Sequence, residues 1–98
     1  MYGVIDFKGK TVLITGAARG IGKEIAKAFA QTNCSLILCD LESNSRLLQK
    51  TVNEIKDEFN VNCECYDMDI RNISNIENVA MNIENSGQTI DILINNAG

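Results

Sequence analysis

Four short apolar runs, separated by three segments of helical period, predict an α/β fold: a parallel sheet with helices on both faces. Two further observations point the same way. The first, second and fourth runs are nearly continuous in apolar residues, as strands covered on both faces should be. Three glycines, Gly16, Gly20 and Gly22, also follow the first run directly, where a strand would bend into a helix.

The elements are read in chain order. TVLIT, Thr11–Thr15, is the first strand. Ile21, Ile25 and Phe29 then recur every four residues and mark one apolar stripe on a first helix. SLILC, Ser35–Cys39, is the second strand. Leu48, Val52, Ile55 and Phe59 recur at +4, +3 and +4 and mark a second helix. NCECY, residues 62–66, alternates and is weaker, as an edge strand would be. Ile73, Ile76, Ala80 and Ile83 mark a third helix, and Ser74 with Glu77 fits an S-x-x-E capping box at its start. IDILI, residues 90–94, is the fourth strand. The order βαβαβαβ implies right-handed crossovers and parallel pairing.

Composition narrows the function classes. The chain has 98 residues, with 45% hydrophobic and 22% charged, which fits one globular domain at most. Its net charge is −4 and it holds no basic run, so nucleic acid is not an expected partner. No apolar stretch reaches the ~20 residues of a membrane span, and the first ten residues lack the apolar centre of a signal peptide. The expected compartment is the cytoplasm. Cys34, Cys39, Cys63 and Cys65 form no C-x-x-C and the chain has no histidine, so zinc is not expected. The four thiols read as small hydrophobes, buried or half-buried and reduced.

A parallel sheet binds ligands beyond the carboxyl ends of its strands, so the chemistry is sought there. After the first strand, Gly16 allows a sharp turn, Gly20 keeps side-chain bulk off the backbone, and Gly22 lets the helix pack closely. The head of that helix offers unpaired N–H donors and a positive dipole end, which suits a pyrophosphate. A triphosphate-binding loop of the form G-x-x-x-x-G-K-[ST] is excluded, because position 17 is Ala17 and Glu24 follows Lys23. After the second strand comes Asp40, 18 residues beyond Gly22. A carboxylate there can accept from the hydroxyls of an adenosine ribose and repels a 2′-phosphate. Arg19 argues in the opposite direction. Asp40 is expected to lie closer to the ribose, so NAD(H) is favoured, with NADP(H) as the alternative. After the third strand, Asp69 is suited to an adenine amine and Ile70 to the adenine ring. Small residues in Asn95-Asn96-Ala97-Gly98 let backbone approach a ligand after the fourth.

T-G-x-x-x-G-x-G at Thr15–Gly22, Asp-Ile at Asp69–Ile70 and N-N-A-G at Asn95–Gly98 resemble the short-chain dehydrogenase/reductase family, in the manner of 3-oxoacyl-acyl-carrier-protein reductases. The extended branch of the family, with G-x-x-G-x-x-G, fits less well. The resemblance covers essentially the whole chain. It implies a Rossmann-type sheet of strand order 3-2-1-4. Gly16, Arg19, Gly20, Ile21 and Gly22 would line the pyrophosphate and nicotinamide-side loop. Asp40 and Leu41 would surround the ribose, and Asp69 and Ile70 would hold the adenine. Asn96, Ala97 and Gly98 would pass beneath the cofactor, and Asn95 would tie the central strands. It further implies hydride exchange with a small carbonyl or alcohol substrate, and a homo-oligomeric parent, tetramer or dimer.

The family's catalytic Ser and Tyr-x-x-x-Lys do not occur here: Tyr2 is followed four residues on by Asp6, and Tyr66 by Ile70. No catalytic residue is therefore assigned. The chain is expected to be the amino-terminal half of one NAD(P)-binding domain, residues 1–98, inactive alone. The competing readings are a non-catalytic module that senses redox state through a bound dinucleotide, and an inactive fragment.

Overall fold

A computed structural model describes residues 5–97. Strand β1 (Thr11–Thr15) leads through the glycine bend into helix α1 (Gly20–Ala30). Strand β2 (Ser35–Asp40) is followed by a single 3-10 turn (Glu42–Asn44) and helix α2 (Ser45–Phe59). Strand β3 (Cys63–Asp67), helix α3 (Ile73–Asn85) and strand β4 (Ile92–Ile94) complete the order. The four strands form one parallel sheet in the order β3-β2-β1-β4, as expected.

Alternation along β1 and β2 divides the core into two layers. Val12, Ile14, Leu36 and Leu38 face α1 and α2, where they meet Ala26, Ala30, Leu48, Val52 and Ile55. Leu13, Ile37 and Cys39 face the other way and meet Val79 and Ile83 of α3. Helices thus cover both faces. Cys34, Cys39 and Cys63 are buried and Cys65 is half-buried, all as free thiols. Among the described residues no helix is long and apolar enough to cross a membrane, and no group of three His, Cys, Asp or Glu is placed to hold a metal ion.

Three expectations about the helices need correction. In α1 the buried stripe is Gly22, Ala26 and Ala30, while Ile21 is 74% exposed and Ile25 and Phe29 lie half-buried at its flank. Close approach to the sheet favours the small residues and turns the larger ones outward. In α3 the buried pair is Val79 and Ile83; Ile76 is half-buried, and Ile73 and Ala80 are exposed. Only the part of that helix from Val79 onward packs closely on the sheet. The capping box at Ser74 and Glu77 does not form. Asn72 is the N-cap, its side-chain oxygen accepting from the Asn75 amide at 3.1 Å. The helix starts two residues earlier than the box assumed, and Asn caps as well as Ser.

Strand limits shift slightly. β2 extends one residue further and β3 is shifted one residue along the chain, starting at Cys63 rather than Asn62, so that Asp40 pairs with Asp67 at the end of the sheet. β4 begins at Ile92 rather than Ile90. Just before it, the Asp91 carboxylate accepts from the Thr11 amide at 2.9 Å, while the Asp91 amide donates to the Thr11 carbonyl. The side chain there takes the place of a ladder partner.

Candidate functional site: the cleft at the strand ends

The glycine bend is built by backbone geometry. Gly16 and Gly20 have φ of +65° and +61°, in the left-handed region that side chains disfavour. A Cβ on Gly16 would lie 3.0 Å from the Asn96 amide and 3.1 Å from the Ala97 backbone. A Cβ on Gly22 would overlap the Gly16 carbonyl oxygen, so glycine there lets the first helical turn sit on the bend. At Gly20 the added atom would meet nothing within 4 Å, because the position faces open space.

The bend is clamped from several sides. Ala17 and Ala18 are fully buried. The Ala17 amide donates to the Cys39 carbonyl at 3.2 Å, and the Ala18 amide donates to Asp40 Oδ2 at 2.9 Å. From α2, the buried Thr51 hydroxyl donates to the Ala18 carbonyl at 2.7 Å. An ion pair of 2.7 Å between Lys23 and Glu54 also joins α1 to α2, and Lys23 holds the Glu54 carboxyl below its usual range. On the other side, Thr15 Oγ1 accepts from the Asn96 and Ala97 amides at 3.1 and 3.0 Å and donates to Asn95 Oδ1 at 3.2 Å. Asn96 Nδ2 donates to the Gly16 carbonyl at 3.2 Å.

What the clamps leave open is the head of α1. Arg19 is its N-cap in extended conformation, makes no side-chain cap, and no acidic residue stands in the first turn. Among the described residues the amides of Arg19, Gly20, Ile21 and Gly22 have no acceptor. Four backbone donors at the positive end of a helix dipole are what an anion binds.

This bend forms one end of a cleft of about 570 Å³, lined by Thr15, Gly16, Arg19, Gly20, Asp40, Leu41, Asn44, Met68, Asp69, Ile70, Arg71 and Ala97. Asp40 stands at the end of β2, and its carboxylate accepts from the Ala18 and Leu41 amides and from Asn44 Nδ2, at 2.9, 2.8 and 2.9 Å. Asp69 is gripped by Arg71: Oδ1 accepts from the Arg71 backbone amide and Nε at 2.9 Å, and Oδ2 accepts from the guanidinium at 3.0 Å. That fork holds the Asp69 carboxyl below its usual range and raises Arg71 in turn. The Asp69 amide donates to Asn75 Oδ1, which ties the loop to the start of α3.

Of the residues read from the sequence, Gly16, Arg19, Gly20, Asp40, Leu41, Asp69, Ile70 and Ala97 line this cleft. Ile21 does not. Its side chain points to solvent over a shallow depression along α1 with Lys23 and Glu24, because helical rotation carries it away from the sheet. Gly22 and Asn96 act behind the lining, through the bend. Gly98 lies outside the described residues. Sequence reading missed Thr15, Asn44, Met68 and Arg71 as lining, and Thr51 as a clamp. Thr51 had a signal: a hydroxyl inside the Leu48–Val52–Ile55 stripe predicts a buried acceptor opposite. Asn44 and Arg71 had none, being ordinary polar residues of loops.

Comparison with known proteins agrees with this geometry. The model of the short chain dehydrogenase family matches residues 10–98, and the chain belongs to that family. It is 36% identical over 90 residues to oxidoreductase UcpA of Salmonella typhimurium, covering 92% of this chain and 33% of that protein. It is 36% identical over 99 residues to sorbose reductase sou1 of Schizosaccharomyces pombe, covering 100% of this chain and 38% of that protein. L-sorbose reductase from Gluconobacter frateurii, solved with NADPH and L-sorbose, superposes with a TM-score of 0.90 at 28% identity, over 98% of this chain and 36% of that one. A proposed D-mannonate oxidoreductase from Haemophilus influenza with bound NAD gives 0.86 at 31% identity, over 96% and 32%. The chain thus spans about a third of the length of these relatives.

Proposed function

We propose that this chain holds the adenosine and pyrophosphate parts of a nicotinamide dinucleotide for a short-chain oxidoreductase. One observation carries the reading: four amides without acceptors stand at the bare head of α1, beside a cleft that Arg19 and Gly20 line and whose far end presents two carboxylates. Gly20 leaves the space over those amides open, and Gly16 and Gly22 set the curvature. In this reading the amides of Arg19 to Gly22 hold the diphosphate. Asp40 and Leu41 meet the ribose, Asp69 and Ile70 meet the adenine, and the backbone of Asn96, Ala97 and Gly98 underlies the rest.

When bound, the dinucleotide supplies or takes the hydride exchanged with a carbonyl or alcohol carbon of a small-molecule substrate. The residues of this chain bind and orient it. A 3-oxoacyl thioester and a sugar-derived ketone are the substrate classes to assay, the second because two relatives reduce sorbose by name. The cofactor is NAD(H) in preference to NADP(H), since a 2′-phosphate would meet the Asp40 carboxylate. A homo-oligomeric assembly accompanies this reading.

The test is the cofactor ratio. Because Asp40 also supports the bend, Asp40→Ser, which keeps an acceptor, is the better variant. Its affinity for NAD(H) should fall about tenfold relative to its affinity for NADP(H), the equivalent of about 1.4 kcal/mol. A ratio that does not move removes Asp40 from the ribose.

A further inference from the structure

The adenosine end of the cleft is short of acceptors. A carboxylate offers about four lone-pair sites for hydrogen bonds. Three of those on Asp40 are taken from within the chain: the Leu41 amide and Asn44 Nδ2 on Oδ1, and the Ala18 amide on Oδ2. One position remains, on Oδ2. An adenosine ribose presents two neighbouring hydroxyls, and a buried hydroxyl without a partner loses the hydrogen bond it made to water. Asp40 can serve one of them.

Asn44 lines the same cleft beside Asp40. It closes the 3-10 turn that follows β2, and its backbone amide donates to the Leu41 carbonyl at 2.8 Å, which fixes its place. Its Nδ2 is committed to Asp40 Oδ1 at 2.9 Å. Among the described residues its Oδ1 accepts from nothing. An amide anchored through its nitrogen presents its oxygen as a fixed acceptor.

We infer that Asn44 is a second ribose-recognising residue, whose side-chain oxygen takes the hydroxyl that Asp40 cannot. Ribose recognition is then shared: Asp40 Oδ2 accepts from one hydroxyl and Asn44 Oδ1 from its neighbour. The bond between Asn44 and Asp40 keeps the two acceptors at a fixed separation. The ligand class selected is a nucleotide with an intact vicinal diol on the adenosine. The inference rests on the dinucleotide reading above and adds to it a residue and a stereochemical requirement.

The experiment titrates the isotopically labelled chain with AMP, 2′-deoxy-AMP and 3′-deoxy-AMP, followed by amide spectra that include the Asn44 side chain. AMP should shift the Asn44 side-chain amide and bind more tightly than either deoxy analogue. Asn44→Ala should weaken AMP about threefold to tenfold. It should cause no further loss with the one analogue that lacks the hydroxyl held by Asn44. If Asn44→Ala proves unfolded by the same spectra, the unaltered chain decides alone: with one deoxy analogue the Asn44 side-chain signal should stay where it was. AMP binding that is unchanged or tighter in Asn44→Ala, or an Asn44 signal that AMP does not move, overturns the inference and leaves the dinucleotide reading standing. No binding of AMP to the unaltered, folded chain overturns both.

Discussion

The two faces of the sheet are built differently. On one, α1 and α2 lie over β1, β2 and β3, and Val12, Ile14, Leu36, Leu38, Leu48 and Ile55 are almost completely buried. On the other, α3 alone covers Leu13, Ile37 and Cys39 with Val79 and Ile83, while Leu93 on β4 stays 63% exposed and Ile73 on α3 is 73% exposed. The strands themselves differ between the two sides: Thr11, Thr15, Ser35 and Glu64 fall on the α3 side, while Val12, Ile14, Leu36, Leu38, Cys63 and Cys65 line the other. The faces differ as well in how much helix lies above each. The fuller face also carries the bend: Ala17 and Ala18 belong to its core, and Thr51 and Glu54 reach the bend and α1 from α2. The loop that faces the cleft is therefore anchored on the better-packed half of the molecule.

This comparison can be broken or sharpened by substitution. The largest effect is expected at Gly22. Valine there must displace the Gly16 carbonyl and lift α1 from the fuller face, at a cost above about 4 kcal/mol. Denaturant unfolding of Gly22→Val should show that loss together with the loss of dinucleotide binding. A near-normal midpoint would mean that the bend can move independently of the core.

Next come matched truncations on the two faces. Ile55→Ala, under α2, should cost about 3–4 kcal/mol, and Ile83→Ala, under α3, about 2 kcal/mol. Equal losses would show that the faces are energetically alike despite their different cover.

The last effect is read by pH, and it samples both faces at once. Burial pushes the thiols of Cys63, on the fuller face, and Cys39, on the thinner one, up to about 12 from an ordinary 9.0. Above pH 9 the unfolded chain has released protons that the folded chain still holds, so stability falls as pH rises. The slope should be about 1.4 kcal/mol per pH unit for each thiol, and below pH 9 the contribution is complete. Unfolding between pH 8 and 10.5 should show this decline, and Cys39→Ala or Cys63→Ala should each lessen it, the rest coming from Cys34, Cys65 and Tyr66, which burial also pushes up. A slope lost only with Cys63 would mean that water reaches the α3 face.

Much of the fold was legible in the residues themselves. Periods of two and near four are local properties, and parallel pairing follows from the alternation of strands with crossover helices, while the strand order 3-2-1-4 came from the family resemblance. The glycine bend was equally legible, because a left-handed φ at Gly16 and Gly20 disfavours residues with a side chain and the contact at Gly22 leaves no room for one. Asp40, Asp69 and Ile70 were legible because strand ends in a parallel sheet converge on one rim. Ile21 was misplaced because an apolar residue in a helical pattern reads as inward whether or not anything lies above it. Asn44, Arg71 and Thr51 act across 4, 2 and 33 residues of chain respectively, and only the first two distances are local.

By itself, then, the sequence determined the alternation of elements, their parallel pairing and the position of the bend, since these depend on short-range sterics and on which residues avoid water. Tertiary structure alone decided which side of α1 is buried, which residue caps α3, and how the lone pairs of Asp40 and Asp69 are divided among their neighbours. Those outcomes depend on the distance between elements and on competition among nearby donors, and neither quantity is written in the spacing of residues along a chain.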